Sequence, residues 1–272
     1  MREEPTGSPP WPARGRPAVV VTGASSGIGA ELARIAAREG RELVLVARSA
    51  GPLRALAAEI AAAGGPAAHP LPLDLAAPEA AAALGEALAG RGLACSVLVN
   101  NAGCGLIGPA AALDAGRQLG ILDLNLRAAA ALALAALPAM LERREGGILN
   151  VASVAGFLPG PGMAMYYASK AGLRSLSEAL WAETRGTGVT VTCLCPGPVD
   201  TPFMERAGSR SAALFRHMPK ASARAVAERG WRGFRRGRRL VLPDAMAWVA
   251  ALGAPLVPRA LLLPALRRLQ RP

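Results

Sequence analysis

Short, nearly continuous apolar runs alternate along the first 195 residues with longer stretches rich in alanine and leucine. The runs Ala18–Thr22, Glu42–Ala47, Ala68–Leu73, Ser96–Asn100, Gly147–Val151 and Val189–Cys195 are five to seven residues long. Apolar residues at successive rather than alternate positions mark strands covered on both faces. Between them, Ile28–Glu39, Pro52–Ala63, Pro78–Arg91, a long stretch within Ala112–Arg144, and Met163–Arg185 read as helices, with glycine or proline at most junctions. Strand and helix in regular alternation predict an α/β fold, a doubly wound parallel sheet with helices on both sides. No repeat of 20–50 residues is present, and the alanine runs Ala80–Ala83 and Ala128–Ala131 serve as helix filler.

Composition narrows this picture. With 52% apolar residues the chain can bury a full core, which excludes intrinsic disorder, and four cysteines in 272 residues exclude a disulfide scaffold. Arginine (29) swamps lysine (two), and Ala, Gly and Pro abound, the bias of a coding sequence rich in G and C. The residues that survive against that bias are informative. All four asparagines (Asn100, Asn101, Asn125, Asn150), both tyrosines (Tyr166, Tyr167) and Lys170 fall between 100 and 170. A chemical requirement explains such clustering; compositional drift does not. The charge is equally uneven, with 16 basic and 16 acidic side chains in 1–204 against 15 basic and three acidic in 205–272. The chain therefore reads as a neutral body with a basic appendage.

The run Val19–Gly29 (VVVTGASSGIG) leads straight from a strand into a helix. Gly23 permits a tight turn, Gly27 lets the backbone approach a pyrophosphate, and Gly29 allows close helix–strand packing, while the helix N-terminus offers free N–H groups to phosphate. The spacing is G-x-x-x-G-x-G. The second strand ends in Ala47-Arg48-Ser49, at the place where an acid would meet the ribose 2′-hydroxyl of NAD. Arg48 suits a 2′-phosphate instead, so NADP(H) is the expected cofactor and NAD(H) the alternative.

Tyr166 and Lys170 stand four apart at the start of a predicted helix and so share one face. A phenol titrates near pH 10, and a neighbouring ammonium is expected to pull that value down. Ser153 follows the strand Gly147–Val151 and can donate a hydrogen bond to a carbonyl oxygen. Asn125, a polar residue in an Ala/Leu helix, is positioned to hold a water that passes protons to Lys170.

Taken together, Thr22–Gly29, Asp74, Asn100-Asn101-Ala102-Gly103, Asn125, Ser153, Tyr166-x-x-x-Lys170 and Pro196-Gly197 followed by Thr201 resemble the short-chain dehydrogenase/reductase family over roughly 18–204. The resemblance implies a Rossmann-type sheet and hydride transfer between a nicotinamide cofactor and a carbonyl/alcohol pair. It makes Tyr166 the acid/base, Ser153 the residue that positions the reacting oxygen, Lys170 the ribose ligand that tunes Tyr166, and Asn125 the end of the proton relay. The cofactor would then be held by Thr22, Gly23, Ser25, Ser26, Gly27, Ile28 and Gly29, by Arg48, Asp74 and Leu75, by Asn101, Ala102 and Gly103, by Tyr166 and Lys170 themselves, and by Pro196, Gly197, Val199 and Thr201. Asp74 would meet the adenine and Thr201 the carboxamide. Either tyrosine is a candidate acid; the family pattern and the four-residue step to Lys170 select Tyr166 and leave Tyr167 as packing. Asn150 reads as structural, Asn100 and Asn101 as fixing their loop, and Cys193 and Cys195 as small buried residues. Cys104 follows the Asn-Asn-Ala-Gly turn near the expected cleft. His69 and His217 lack the companions a metal site needs, so no metal is expected.

Three segments complete the organisation: a disordered leader at 1–17, a catalytic domain at 18–243 with Arg239–Pro243 as its last strand, and an extension at 244–272. The leader has no apolar core of a signal peptide, and no run of 18 apolar residues is free of charge and proline, which points to a cytoplasmic protein. Arg224–Arg239 holds seven arginines with Trp231 and Phe234 interleaved, and Ala245–Leu266 is almost wholly apolar but for Arg259. That extension is expected to cover the cleft or a partner subunit, or else to lie on an anionic membrane surface; no nucleic-acid-binding fold surrounds it. The expected function is NADP(H)-dependent interconversion of a ketone or aldehyde and its alcohol by a homo-oligomer. Phe157–Met165 and Phe203–Met218 offer Phe, Met and Leu to a bulky apolar substrate. The rivals are reduction of C=C or C=N bonds, and a nucleotide-binding sensor without turnover, which would have no need of Asn125, Ser153, Tyr166 and Lys170 together.

Overall fold

The computed structural model describes residues 11–203, 207 and 220–269. Seven parallel strands form the central sheet: β1 (Arg16–Thr22), β2 (Glu42–Ala47), β3 (Ala68–Pro72), β4 (Leu93–Asn100), β5 (Gly146–Val151), β6 (Val189–Leu194) and β9 (Leu240–Val241). Their order is β3-β2-β1-β4-β5-β6-β9. A separate two-residue ladder joins β7 (Val199–Asp200) to β8 (Ala221–Ser222). The six expected strands are present within three residues at every end, and the last strand is shorter than expected.

β1, β2, β4, β5 and β6 are buried on both faces because helices wind both ways, and β3 lies half-buried at the sheet edge. Val19 and Val21 of β1 face a core shared with α1 (Gly27–Arg38), α2 (Ala50–Ala62) and α7 (Ala223–Arg235). Ala18 and Val20 face the opposite core, built with α3 (Ala80–Ala89), α5 (Ala128–Arg143) and α6 (Ala164–Glu183). The order reverses between β1 and β4, which opens a crevice at the carboxyl ends of those strands.

Two expectations need correction. Residues 11–17 are not a disordered leader. Trp11 is 2% exposed, its indole Nε1 donates to Ala81 O at 2.9 Å, and its backbone N–H reaches Ala135 O. The rest of that segment, 1–10, lies outside the described residues. Second, the aromatics of the arginine-rich segment do not share a surface with its arginines. Trp231 and Phe234 are buried in the core on the inner face of α7, while Arg232, Arg235, Arg236, Arg238 and Arg239 face outward. The helix expected within 112–144 is present and changes geometry along its length. It starts as α4 (Ala115–Leu122), capped by Asp114, widens into a π-turn over Asp123–Arg127, and continues as α5. The continuous stretch Ala115–Arg143 is long and apolar enough to cross a membrane by length and composition, and half of its most apolar window is buried inside the fold.

Beyond β9, the chain forms α8 (Ala245–Gly253) and α9 (Arg259–Leu269). Asp244 caps α8 by accepting from Ala247 N at 2.8 Å.

Candidate active site

A cavity of about 660 Å³ fills the crevice above β1, β4, β5 and β6. Its floor is the glycine loop. Gly23 and Gly27 sit at φ +64° and +58°, values that favour glycine. A Cβ on Gly29 would lie 2.4 Å from both Asn101 Nδ2 and Gly23 O, so Gly29 serves packing and does not line the cavity. Thr22 is likewise structural. It is buried, and its hydroxyl accepts from the N–H groups of Asn101 and Ala102 and donates to Val99 O. Asn101 completes the clamp through Nδ2 to the carbonyls of Thr22 and Gly23.

The structure brings Gly23, Ser25, Ser26, Gly27, Ile28, Arg48, Asp74, Asn101, Ala102, Gly103, Pro196, Gly197, Val199 and Thr201 to the cavity wall, as expected. Leu75 is the further exception: its side chain is buried in the core against β1 and β2, and its neighbours Asp74 and Ala76 line the cavity instead. These residues fit a dinucleotide. α1 begins at Gly27 with no acidic residue in its first turn and no side-chain cap, so free N–H groups and the positive end of the helix dipole meet the cavity. Thr201 leans over that turn, 2.9 Å from where a Cβ on Gly27 would be, so glycine there keeps the loop open to a phosphate. Arg48 and Lys170 supply positive charge.

The catalytic candidates converge on the same space. Ser153 follows β5 and caps the next turn, its Oγ accepting from Ala155 N at 3.1 Å. Its hydroxyl reaches Pro196 O only at 3.5 Å and shares a hydrogen bond with Tyr166, which sets it beside the phenol. Tyr166 and Lys170 lie one turn apart on α6, with Lys170 Nζ 5.9 Å from the phenol ring centre and donating to Val151 O at 2.9 Å.

Asn125 lies in the π-turn and is fully buried. Its Oδ1 accepts from Cys104 N, and its Nδ2 donates to Cys104 O and to Ser169 Oγ. Ser169 in turn donates to Tyr166 O at 2.7 Å. The amide thus ties the loop after β4 to the helix that carries the tyrosine, a positioning duty beyond the expected relay.

Electrostatics also depart from expectation. Burial pushes the Tyr166 phenol up to about 12, against the downward pull of a hydrogen bond with Ser153, and pushes the Lys170 ammonium down to about 8. A desolvated ammonium is a weak counter-charge, because the same lack of water that would strengthen its field also disfavours its own charge. Burial raises the Cys104 thiol as well, with Arg48 and Lys170 pulling the other way.

The remaining asparagines are structural, as read. Asn100 donates to Asn150 Oδ1 and Ala129 O, and Asn150 donates to Ser177 Oγ, all in the interior. Cys193 and Cys195 are buried with their sulfurs 3.6 Å apart. Among the described residues no group of His, Cys, Asp or Glu could hold a metal ion, and His217 lies outside them.

The substrate end of the cavity is apolar. Gly105, Leu106, Ile121, Met163 and Phe203 line it, and the Phe203 ring packs 5.4 Å from that of Tyr166. Tyr167 is buried beside Met163 and also reaches the wall. Phe157 instead packs under Arg174, outside the cavity, and 204–206 and 208–218 lie outside the described residues. Sequence reading missed two contributors. One face of α4 and the π-turn after it supplies Arg117, Gly120, Ile121 and Leu124 at helical spacing. Asp244 accepts from Gly197 N at 3.0 Å and so pins the Pro196–Gly197 wall to the C-terminal extension; nothing in its local sequence signals that partner, 47 residues away.

Comparison with known proteins supplies the wider frame. An uncharacterised oxidoreductase of Myxococcus xanthus is 42% identical over 178 residues, covering 65% of this chain and 70% of its own. A probable oxidoreductase of Mycobacterium tuberculosis is 38% identical over 191 residues, and the chain spans only 32% of that longer protein. Among solved structures, a short-chain dehydrogenase from Sphingobium yanoikuyae in complex with NADPH superposes with a TM-score of 0.78 at 34% identity, over 94% of this chain and 98% of its own. A bulky-bulky ketone specific alcohol dehydrogenase from Comamonas testosteroni gives a TM-score of 0.74 at 28% identity, over 91% and 94%. A family model for the short chain dehydrogenases matches residues 17–212, a span that holds the glycine loop, Asn125, Ser153, Tyr166 and Lys170. With that match, and a Rossmann-type parallel sheet beneath it, the chain belongs to the short-chain dehydrogenase family of oxidoreductases.

Proposed function

We propose that this chain uses NADP(H) to interconvert a bulky, largely apolar ketone or aldehyde with its alcohol, in the cytoplasm. The observation that carries the reading is that one cavity joins Arg48, at the end of β2, to Ser153, Tyr166 and Lys170, and ends among Leu106, Met163 and Phe203. Arg48 stands where a carboxylate would select NAD, and charge-assisted hydrogen bonds from a guanidinium suit a 2′-phosphate. The Sphingobium relative with NADPH and the Comamonas ketone-specific dehydrogenase point the same way.

A bound nicotinamide supplies or accepts the hydride. The chain's own residues manage the oxygen and the proton. With its pKa raised to about 12, Tyr166 keeps its proton at neutral pH and donates it to the substrate oxygen as negative charge develops there. Ser153 turns its hydroxyl proton from Tyr166 to the same oxygen and fixes its position. Lys170, lowered to about 8, can both hold and release a proton near neutrality and so restore that of Tyr166. Met163 and Phe203 exclude water from the reacting centre and favour hydrocarbon around the carbonyl.

The test is cofactor titration with a panel of bulky and small ketones and aldehydes. Arg48→Ala should weaken NADPH binding about tenfold or more, the equivalent of roughly 1.5–3 kcal/mol, and leave NADH nearly unchanged. Equal losses for both cofactors would place Arg48 outside phosphate recognition, and turnover confined to small polar carbonyls would reject the apolar substrate.

A further inference from the structure

The last two helices turn apolar side chains toward water. Leu256 is 82% exposed, more than any other large apolar side chain among the described residues, and Leu261, Val249, Leu252 and Trp248 are each more than half exposed. On α8, Ala247 and Ala250 face the body while Trp248 and Leu252 form an outer stripe that Leu256 extends at the next four-residue step. On α9, Leu261 and Leu263 lie between Arg259 and the pair Arg267 and Arg268, all of them exposed. No described residue of the extension lines the catalytic cavity.

Charge identifies the occupant. Between 229 and 272 there are ten arginines and one acid, Asp244. That acid is engaged by Gly197 N and the start of α8, and so is not available to offset the arginines of α9. A second copy docked through this face would bring like charge against like charge. An apolar stripe bordered by arginine matches a layer of hydrocarbon beneath anionic headgroups, and a tryptophan suits the boundary between the two.

We propose that α8 and α9 form a docking surface for an anionic lipid bilayer. At nine and eleven residues they are about 14 and 16 Å long, against roughly 30 Å of hydrocarbon, so they lie in the interface and do not cross it. Trp248, Leu252, Leu256 and Leu261 enter the acyl boundary, and Arg259, Arg267 and Arg268 meet phosphate and carboxylate headgroups.

The test is co-sedimentation of the full chain with vesicles of phosphatidylcholine alone and with about one third phosphatidylglycerol, at low and high salt. Binding should require the anionic lipid and fall about tenfold or more as screening shortens the reach of the arginines. Tryptophan emission should shift to the blue on binding, and Trp248→Phe should remove most of the shift, since Trp11 and Trp231 are already buried and Trp181 packs on the core under Arg185, away from this stripe. The double variant Trp248→Ala with Leu252→Ala should bind about tenfold more weakly, with thermal unfolding and cofactor binding unchanged as evidence of an intact fold. No binding to anionic vesicles at low salt overturns the proposal. So does self-association that the double variant abolishes in the absence of lipid, which would give the face to a second copy. Binding to duplex DNA without binding to vesicles would assign the arginines to another polyanion and overturn it equally.

Discussion

Trp231 and Trp248 lie 17 residues apart, each on a helix of the last quarter of the chain, yet their surroundings are opposite. Trp231 is 3% exposed, packed at 5.4 Å from Phe234 in the core under β1, and its indole Nε1 donates to Glu39 at 2.8 Å. Trp248 is 54% exposed on a helix whose outer stripe is apolar. Both helices are rich in alanine and flanked by arginine. The first puts its arginines outward and its rings inward, and completes the sheet domain; the second spends only alanines on the body and offers its large residues to solvent. Composition alone does not distinguish a helix that closes a core from one that presents a surface. The size of the residues on the inward face does.

The largest effect should fall on the chemistry of the buried region. Tyr166→Phe removes the one transferable proton and keeps the ring that packs against Phe203, so turnover should drop about a thousandfold while cofactor binding survives. Tyr167→Phe is the control, and retention by the Tyr166 variant of more than about a tenth of the rate would remove the acid assignment.

The tryptophans themselves give the next test. Trp231→Ala should cost roughly 3–5 kcal/mol in denaturant unfolding, because it empties a packed site and strips Glu39 of a donor. Trp248→Ala should stay within about 0.5 kcal/mol of the parent. Similar losses for both would mean that the C-terminal helices belong to the core after all.

A smaller effect concerns pH. Lys170 titrates at about 8 in the folded chain and near 10.5 when unfolded, so across that window the unfolded state binds the extra proton and stability rises with pH. Tyr166 acts in the opposite sense above pH 10, where the unfolded phenol loses its proton first and the folded one holds it to about 12. In the absence of cofactor, Lys170→Met should therefore flatten the rise in Tm between pH 8 and 10. An unaltered slope would show that Lys170 is solvated and titrates normally.

Much of this molecule could be read from its sequence, for a physical reason. Doubly covered strands must be apolar at successive positions, so the runs that became β1, β2, β4, β5 and β6 stood out against alanine-rich helices. Chemistry that needs Asn, Tyr and Lys was visible because the composition avoids them elsewhere. The rest depends on partners far apart in the chain. Trp11 looked like part of a leader until α3 and α5 provided its pocket, 70 and more residues away. Leu75 and Thr22 belong to binding motifs yet point into the interior, because a motif fixes a loop's path and not each side chain's direction. The amide of Asn125 could be read as polar and buried, but its bonds to Cys104 and Ser169 required the geometry of the turn.

That turn also constrains how the gene for this chain can change. The five-residue π-turn at Asp123–Arg127 takes up an odd residue between two stretches of regular helix with separate duties. Upstream, Arg117, Gly120 and Ile121 form a wall of the cavity; downstream, Leu132, Ala133, Ala136 and Met140 press against the sheet. Each residue of an α-helix advances its neighbours by about 100°. Loss of a single codon within the turn would remove that odd residue and close a regular helix, with the cavity wall and the sheet-facing stripe still in register. What would be lost is the wide turn that delivers the amide of Asn125 to Cys104 and Ser169. Loss of a codon on either side of the turn has no such slack and would swing one face away from its duty by about 100°.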